Sequence, residues 1–332
     1  MPENRICQML SIKYPVIQAA MTWVTNAELV AAVSNAGGLG VFGPNAGERT
    51  VATDAIETAE RLRRQIRKAR SLTDKPFGVN IMSFPQDETF SDHCARVVVE
   101  EGVAAAITCG THPERYIQML KDGGLKVLHR PLPDNNVEAA RKYAGLGIDA
   151  LIAVGFEGGG HTGDDRTPTL TLVPQMVDAL HIPIVAGGGI ADGRGMAAVM
   201  ALGAEAVYLG TRFIASLECP AHPSYKKAIL EAADNGTTTC AGLAGVLRAL
   251  KTPLVEHYVK LESGGKASAE DRMRLHRSSS RAWLEGDWNE AAFPCGAGAG
   301  LVKGIKSADE IIQSIIQGYR QTQKTWNFPA GG

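Results

Sequence analysis

The chain has 332 residues, 45% hydrophobic and 21% charged, with 34 Lys+Arg against 35 Asp+Glu for a formal net charge of −1. That balance argues against a protein built around a basic nucleic-acid surface, and no uncharged apolar run reaches the ~18 residues a membrane span needs. The 6 cysteines lack any C-x-x-C, and Met1-Pro2-Glu3-Asn4-Arg5 has no apolar signal-peptide core, so the expectation is a reduced, cytoplasmic protein without disulfides or a metal site.

Short runs rich in Val, Ile and Ala recur at 15–20, 38–43, 77–81, 103–109, 125–129, 149–154, 182–186 and 206–210. They are apolar throughout rather than alternating, which predicts strands of a parallel sheet covered on both faces. Helical segments lie between them. Residues 26–36 place Leu29, Val30 and Val33 on one face, follow Thr25-x-x-Glu28, a capping-box pattern, and stop at Gly37. Thr111-x-x-Glu114 has the same pattern before the fifth strand. The basic run 61–70 reads as the solvated face of an outer helix, and 193–203 carries Met196, Val199, Met200 and Leu202 before another glycine stop. Eight such alternations predict an α/β fold, a (β/α)8 TIM barrel, with a doubly wound open sheet as the alternative.

The stretch 220–304 breaks the rhythm. It is polar and helical, shows no strand signal, and carries Arg272, Arg274, Arg277 and Arg281. Ser307-x-x-Glu310, a third capping-box pattern, opens an eighth barrel helix over 307–326. The expected organisation is a barrel of 1–219 plus 305–332 and a helical lid or substrate domain of 220–304. Its place after the eighth strand puts that lid at the face where barrel active sites sit.

Chemistry concentrates in the loops at that face. Gly187-Gly188-Gly189-Ile190-Ala191-Asp192-Gly193 follows the seventh strand, and Leu209-Gly210-Thr211-Arg212-Phe213 ends the eighth. Glycines let backbone N–H groups approach an anion, so these two loops predict a phosphate site; two glycine-rich turns without a ligand are the bland alternative. After the sixth strand, Glu157-Gly158-Gly159-Gly160-His161-Thr162-Gly163 presents His161, the side chain best suited to proton exchange near neutral pH. Met21 and Trp23, after the first strand, could wall a flat ring or serve as core. Asn80 offers an amide to a heterocycle edge, and Arg130 a cation to an anion. No G-x-S-x-G, H-E-x-x-H, Walker loop or G-x-G-x-x-G at a first βα turn is present.

Taken together, Pro15-Val16-Ile17-Gln18-Ala19-Ala20-Met21, Phe77-Gly78-Val79-Asn80, the His161 loop and the two glycine loops resemble the nitronate monooxygenase (2-nitropropane dioxygenase) family, which includes flavin-dependent enoyl-ACP reductase II and some NAD(P)H:quinone reductases. The resemblance spans essentially the whole chain and implies a barrel holding FMN non-covalently. It implies that Gly187, Gly188, Gly189, Gly210 and Thr211 hold the phosphate, that Ala20, Met21 and Thr22 lie along the isoalloxazine, and that Asn80 meets its polar edge. Arg130, Glu157 and Gly160 would adjoin the cofactor, and His161 would be the active-site histidine. Three departures stand out. Ala19 and Ala20 replace two glycines, keeping the N–H groups but adding methyls. Arg130 stands where relatives carry lysine or a smaller residue. Gly158 replaces a common alanine, which predicts a looser loop.

The expected activity is oxidation of alkyl nitronates with O2. The alternatives are an FMN reductase using NADH or NADPH on enoyl-ACP or a quinone, and a barrel that binds FMN or phosphate without redox turnover. The substrate is a small molecule, a nitronate, quinone or enoyl thioester. Acyl carrier protein and a second copy of the chain are candidate partners; nucleic acid and membrane are not.

Overall fold

The computed structural model describes residues 4–50, 52 and 54–325. Among the described residues there are eleven strands, eight of them parallel, and these eight match the apolar runs: β1 (Val16–Gln18), β2 (Gly40–Phe42), β3 (Phe77–Met82), β4 (Ala105–Cys109), β5 (Lys126–Arg130), β6 (Ala150–Val154), β8 (Ile184–Gly187) and β9 (Ala206–Leu209). Their order is β1-β9-β8-β6-β5-β4-β3-β2, and a parallel bridge between Ile17 and Leu39 closes the ring. The chain is a TIM barrel. Its interior is packed with Ile17, Val41, Ile107, Leu128, Ile152 and Val185, and the helix Arg5–Leu10 adds Ile6 and Leu10 to the same cluster. The outward strand residues meet the helix layer, so β4 and β6 are buried along their whole length. That double burial is why these runs show no period of two.

Local helix signals hold with two corrections. Asn26, not Thr25, caps the helix Ala27–Asn35, its side chain accepting from Leu29 N–H at 2.9 Å. The Thr25 hydroxyl instead donates to the Met21 carbonyl and accepts from Gly43 N–H, tying the first two strand-end loops together. Thr111 caps nothing, because the helix Glu114–Asp122 starts after Pro113. The Ser307–Glu310 box forms as expected, Ser307 N–H donating to Glu310 at 2.8 Å and Glu310 N–H to Ser307 Oγ at 3.2 Å. It opens the helix Ala308–Thr325; Trp326, the predicted last residue, lies outside the described residues, as do Met1, Pro2 and Glu3. The basic run belongs to the helix Ala55–Leu72, where Arg63, Arg67 and Arg70 all pair with Glu101. Among the described residues no helix is long and apolar enough to cross a membrane.

Residues 220–304 contain the helices Pro223–Glu231, Pro253–Ser263 and Ala269–Leu284, but they are not wholly helical. A hairpin of β10 (Thr237–Ala241) and β11 (Val246–Leu250) lies among them, and β11 pairs antiparallel with β7 (Gly160–Thr162), a strand of the His161 loop. The hairpin escapes sequence reading because each strand has five residues and its third partner lies far away, Thr162 and Val246 being 84 positions apart. Leu247, Leu254, Val255, Tyr258 and Leu275 form a small core of their own. Tyr225, Ala282 and Phe293 instead join the barrel-side cluster with Leu209 and Phe213.

Candidate active site

A cavity of about 820 Å³ lies at the carboxyl ends of the barrel strands, under the insertion. Predicted site residues from six strand ends converge there: Ala20, Met21 and Thr22 after β1, Asn80 on β3, Arg130 on β5, Glu157, Gly160 and His161 after β6, Gly188 and Gly189 after β8, and Gly210 and Thr211 after β9. Gly187 is set back from it. It ends β8, and its carbonyl accepts from Gly155 N–H at 2.9 Å.

At one end the backbone forms a cradle. Gly188 and Gly189 hold φ of +91° and +70°, the left-handed region that side chains disfavour. A Cβ on Gly188 would stand 2.8 Å from the Gly155 carbonyl oxygen. Among the described residues, the N–H groups of Gly189, Gly210 and Thr211 donate to no protein acceptor. Thr211 Oγ1 accepts from Gly296 N–H at 3.0 Å, so the hydroxyl proton is free to donate. Arg212, the nearest cation in sequence, turns away and donates to the Gly304 carbonyl at 3.0 Å. An anion here is therefore met by N–H groups and one hydroxyl. These residues fit the phosphate of the implied FMN: glycines where side chains would intrude, and donors without partners.

Glu157 does not present a free carboxylate. It accepts from Thr169 N–H at 2.9 Å and Thr169 Oγ1 at 3.0 Å, capping the helix Thr169–Ala179 beside Gly189. Gly158 does not loosen the loop either. It is buried, donates to the Gly155 carbonyl, and a Cβ there would strike Val154 at 2.7 Å.

The other end carries the side-chain chemistry. Asn80 donates to the Ile107 carbonyl at 2.9 Å, so its amide oxygen remains as the acceptor for a ligand. Arg130 Nη2 donates to the His161 carbonyl, while its Nε is buried without a partner. His161 Nε2 is likewise buried and unpartnered. Burial, aided by the like charges of His276 and Arg130, holds the His161 imidazole down to about 4, so it is neutral at pH 7. Both side chains line the one cavity, and each keeps a shielded polar atom without a protein partner.

The N–H groups beneath the first-strand loop are not free. Ala19 donates to the Leu209 carbonyl and Ala20 to the Tyr208 hydroxyl, each at 2.9 Å. The two alanines therefore offer a ring their methyls and not their N–H groups. Trp23 lines the cavity with φ of +68°, strain held at the mouth of the site.

Several cavity residues were not singled out from sequence. Tyr208 ends the barrel interior beneath the cavity. The hairpin turn supplies Gly242, Leu243 and Ala244, and Gly296 returns from the insertion to meet Thr211. His276, on the helix Ala269–Leu284, lies 6.0 Å from His161 between ring centroids. The run Cys295-Gly296-Ala297-Gly298-Ala299-Gly300 carried a usable glycine signal; the others carried none.

Comparison with known proteins supplies the wider setting. A family model described as nitronate monooxygenase matches residues 3–318. A (3aS,4S,5R,7aS)-5-hydroxy-7a-methyl-1-oxo-octahydro-1H-indene-4-carboxyl-CoA dehydrogenase of Mycobacterium tuberculosis is 35% identical, covering 94% of each chain. A probable nitronate monooxygenase of Staphylococcus saprophyticus is also 35% identical, covering 73% of this chain and 76% of its own. The structure of FabK from Thermotoga maritima superposes with a TM-score of 0.87 at 37% identity, covering 98% of both.

Proposed function

Because the chain belongs to the nitronate monooxygenase family and is an FMN-dependent oxidoreductase, we propose that its substrate is an acyl thioester with a conjugated double bond, reduced at the expense of NADH or NADPH. The observation that carries this is the shape of the cavity. Beyond the phosphate cradle it continues between Met82, Phe84, Leu132, Leu243, Leu247 and Trp283, with Arg272 and Arg277 exposed at its rim. Apolar walls suit an acyl chain, and rim cations suit the phosphates of a pantetheine carrier, whether coenzyme A or acyl carrier protein. The carboxyl-CoA dehydrogenase relative is named for a coenzyme A thioester, a saturated one that it dehydrogenates, so it supports the carrier and not the double bond. Residues 220–304 serve as the substrate lid.

His161 supports the same substrate. A neutral imidazole polarises a carbonyl by hydrogen bonding, whereas a base with a midpoint near 4 takes little proton from carbon at pH 7. His161 would donate to the thioester carbonyl and Arg130 would add positive charge nearby. Bound FMN supplies the two-electron redox chemistry. The net change adds a hydride to Cβ and a proton to Cα, converting one NAD(P)H to NAD(P)+.

Arg130 favours a second substrate class. Its unpartnered Nε suits an anion, and an alkyl nitronate already carries its charge, so no base is needed. O2 would then be the oxidant. Anaerobic mixing of the yellow protein with NADH, NADPH and propyl-2-nitronate separates the two. Bleaching by a nicotinamide, reversed by crotonyl-CoA, supports the thioester. Bleaching by the nitronate, with none by either nicotinamide, refutes it in favour of nitronate oxidation.

A further inference from the structure

The loop that carries His161 is held from outside the barrel. β7 is the edge strand of a three-stranded sheet whose other members come from the insertion, with His161 opposite Leu247. The turn joining β10 to β11 is Gly242-Leu243-Ala244-Gly245, closed by Gly242 N–H donating to the Gly245 carbonyl at 2.9 Å. It is anchored at the barrel rim, where Ala244 packs against Phe84, Cys109 and Leu132.

So anchored, the turn lies directly against the His161 ring. A Cβ built on Gly242 would stand 2.7 Å from His161 Cδ2 and 2.8 Å from Nε2, with the turn's own Gly245 carbonyl next at 2.9 Å. Gly242 does not occupy the left-handed region, so its backbone does not demand glycine. The demand is steric, and most of it comes from the imidazole. His161 Nε2 has no hydrogen-bond partner to orient it. Packing must therefore set the ring.

We propose that Gly242 is a positioning residue of the active site: the bare Cα lets the His161 ring lie back against the hairpin turn, and the turn is the stop that sets how the ring meets substrate. This rests on His161 acting on the substrate, as proposed above. Any side chain at 242 would rotate the ring forward into the cavity, since the far end of a side chain yields more easily than a hydrogen-bonded turn.

The test is a double-mutant cycle on the FMN-loaded enzyme with Gly242→Ala, His161→Ala and both together. The expected result for Gly242→Ala is unchanged flavin content, a kcat lowered about 10- to 100-fold, as an ångström-scale misplacement costs, and a His161 NMR titration midpoint moved up toward the ordinary histidine range. In the His161→Ala background the same substitution should cost nothing further in kcat and clearly less in melting temperature than it does in wild type, the remainder being the contact with the Gly245 carbonyl. Wild-type kcat in Gly242→Ala overturns the proposal, as does an equal loss of melting temperature in both backgrounds, which would place the conflict with Gly245. If Gly242→Ala does not fold, a folded double variant supports the contact and an unfolded one overturns it. The melting temperatures and the titration need no substrate. A wrong substrate assignment therefore shows as an intact cycle on an enzyme inert toward crotonyl-CoA.

Discussion

Thr211→Val tests the phosphate cradle most directly. The Thr211 hydroxyl accepts from Gly296 N–H at 3.0 Å and keeps its own proton for an anion. Valine keeps the shape and removes both functions. A hydrogen bond to a charged group contributes about 1.5–3 kcal/mol, which at 1.4 kcal/mol per decade is a rise of roughly 10- to 150-fold in the FMN dissociation constant. Unpairing Gly296 N–H costs roughly 1–3 kcal/mol in addition, but it does so in the free and loaded protein alike. That second loss should appear in the melting temperature of the apoprotein and not in the affinity. Thr211→Ser keeps the hydroxyl and should bind FMN within about 3-fold of wild type, well inside the valine effect. The assay is titration of flavin-stripped protein with FMN, followed by flavin fluorescence. Wild-type affinity in Thr211→Val, or equal weakening in Thr211→Ser, would refute the placement of the phosphate.

Gly188→Ala must hold φ of +91° and press a methyl toward the Gly155 carbonyl; the backbone alone costs about 1–2 kcal/mol. Purified Gly188→Ala should carry less FMN than Gly189→Ala, whose added methyl comes nearest to the Glu157 side chain, at 3.3 Å; equal flavin content would count against the cradle. His161→Ala should retain FMN and lose turnover by about 10²- to 10⁴-fold, and unchanged turnover removes His161 from the chemistry. His129 is fully buried, bonded at Nδ1 to Thr108 at 2.9 Å, and held down to about 3 by burial. Its folded value lies below its unfolded value of about 6.5, so its contribution to stability is complete above pH 6.5 and is lost as pH falls toward 3. The ceiling is about 5 kcal/mol, and His161 adds a loss of the same sign toward pH 4. Urea midpoints measured from pH 7 to pH 4 should fall less steeply for His129→Gln than for wild type, and equal slopes would contradict the buried neutral histidine.

The barrel was legible because its determinants are local. Each strand core survives at its predicted place within two residues at either end, since a run buried on both faces must be apolar throughout. The glycine loop after β8 was legible for the same reason: Gly188 and Gly189 are needed by their own backbone angles, and a dihedral requirement is written into the residue itself. Even so, neighbours one position apart were confused. Thr25 has the spacing of a capping box, yet Asn26 caps the helix because the Thr25 hydroxyl is claimed by Met21 and Gly43 across a loop contact.

By itself, then, the sequence determined the eight strands, the helices that cover them, and the two glycine loops with the histidine loop at the barrel mouth. Only the tertiary structure decided what completes the site. It sets Gly242 against His161, brings Gly296 to Thr211, engages the Ala20 N–H with Tyr208, and turns Arg212 away from the cradle. Each of these joins positions distant along the chain or depends on which neighbour claims a donor first. Periodicity and propensity report what a residue does within its own turn of chain; long-range pairing and competition for hydrogen bonds exist only once the barrel has closed.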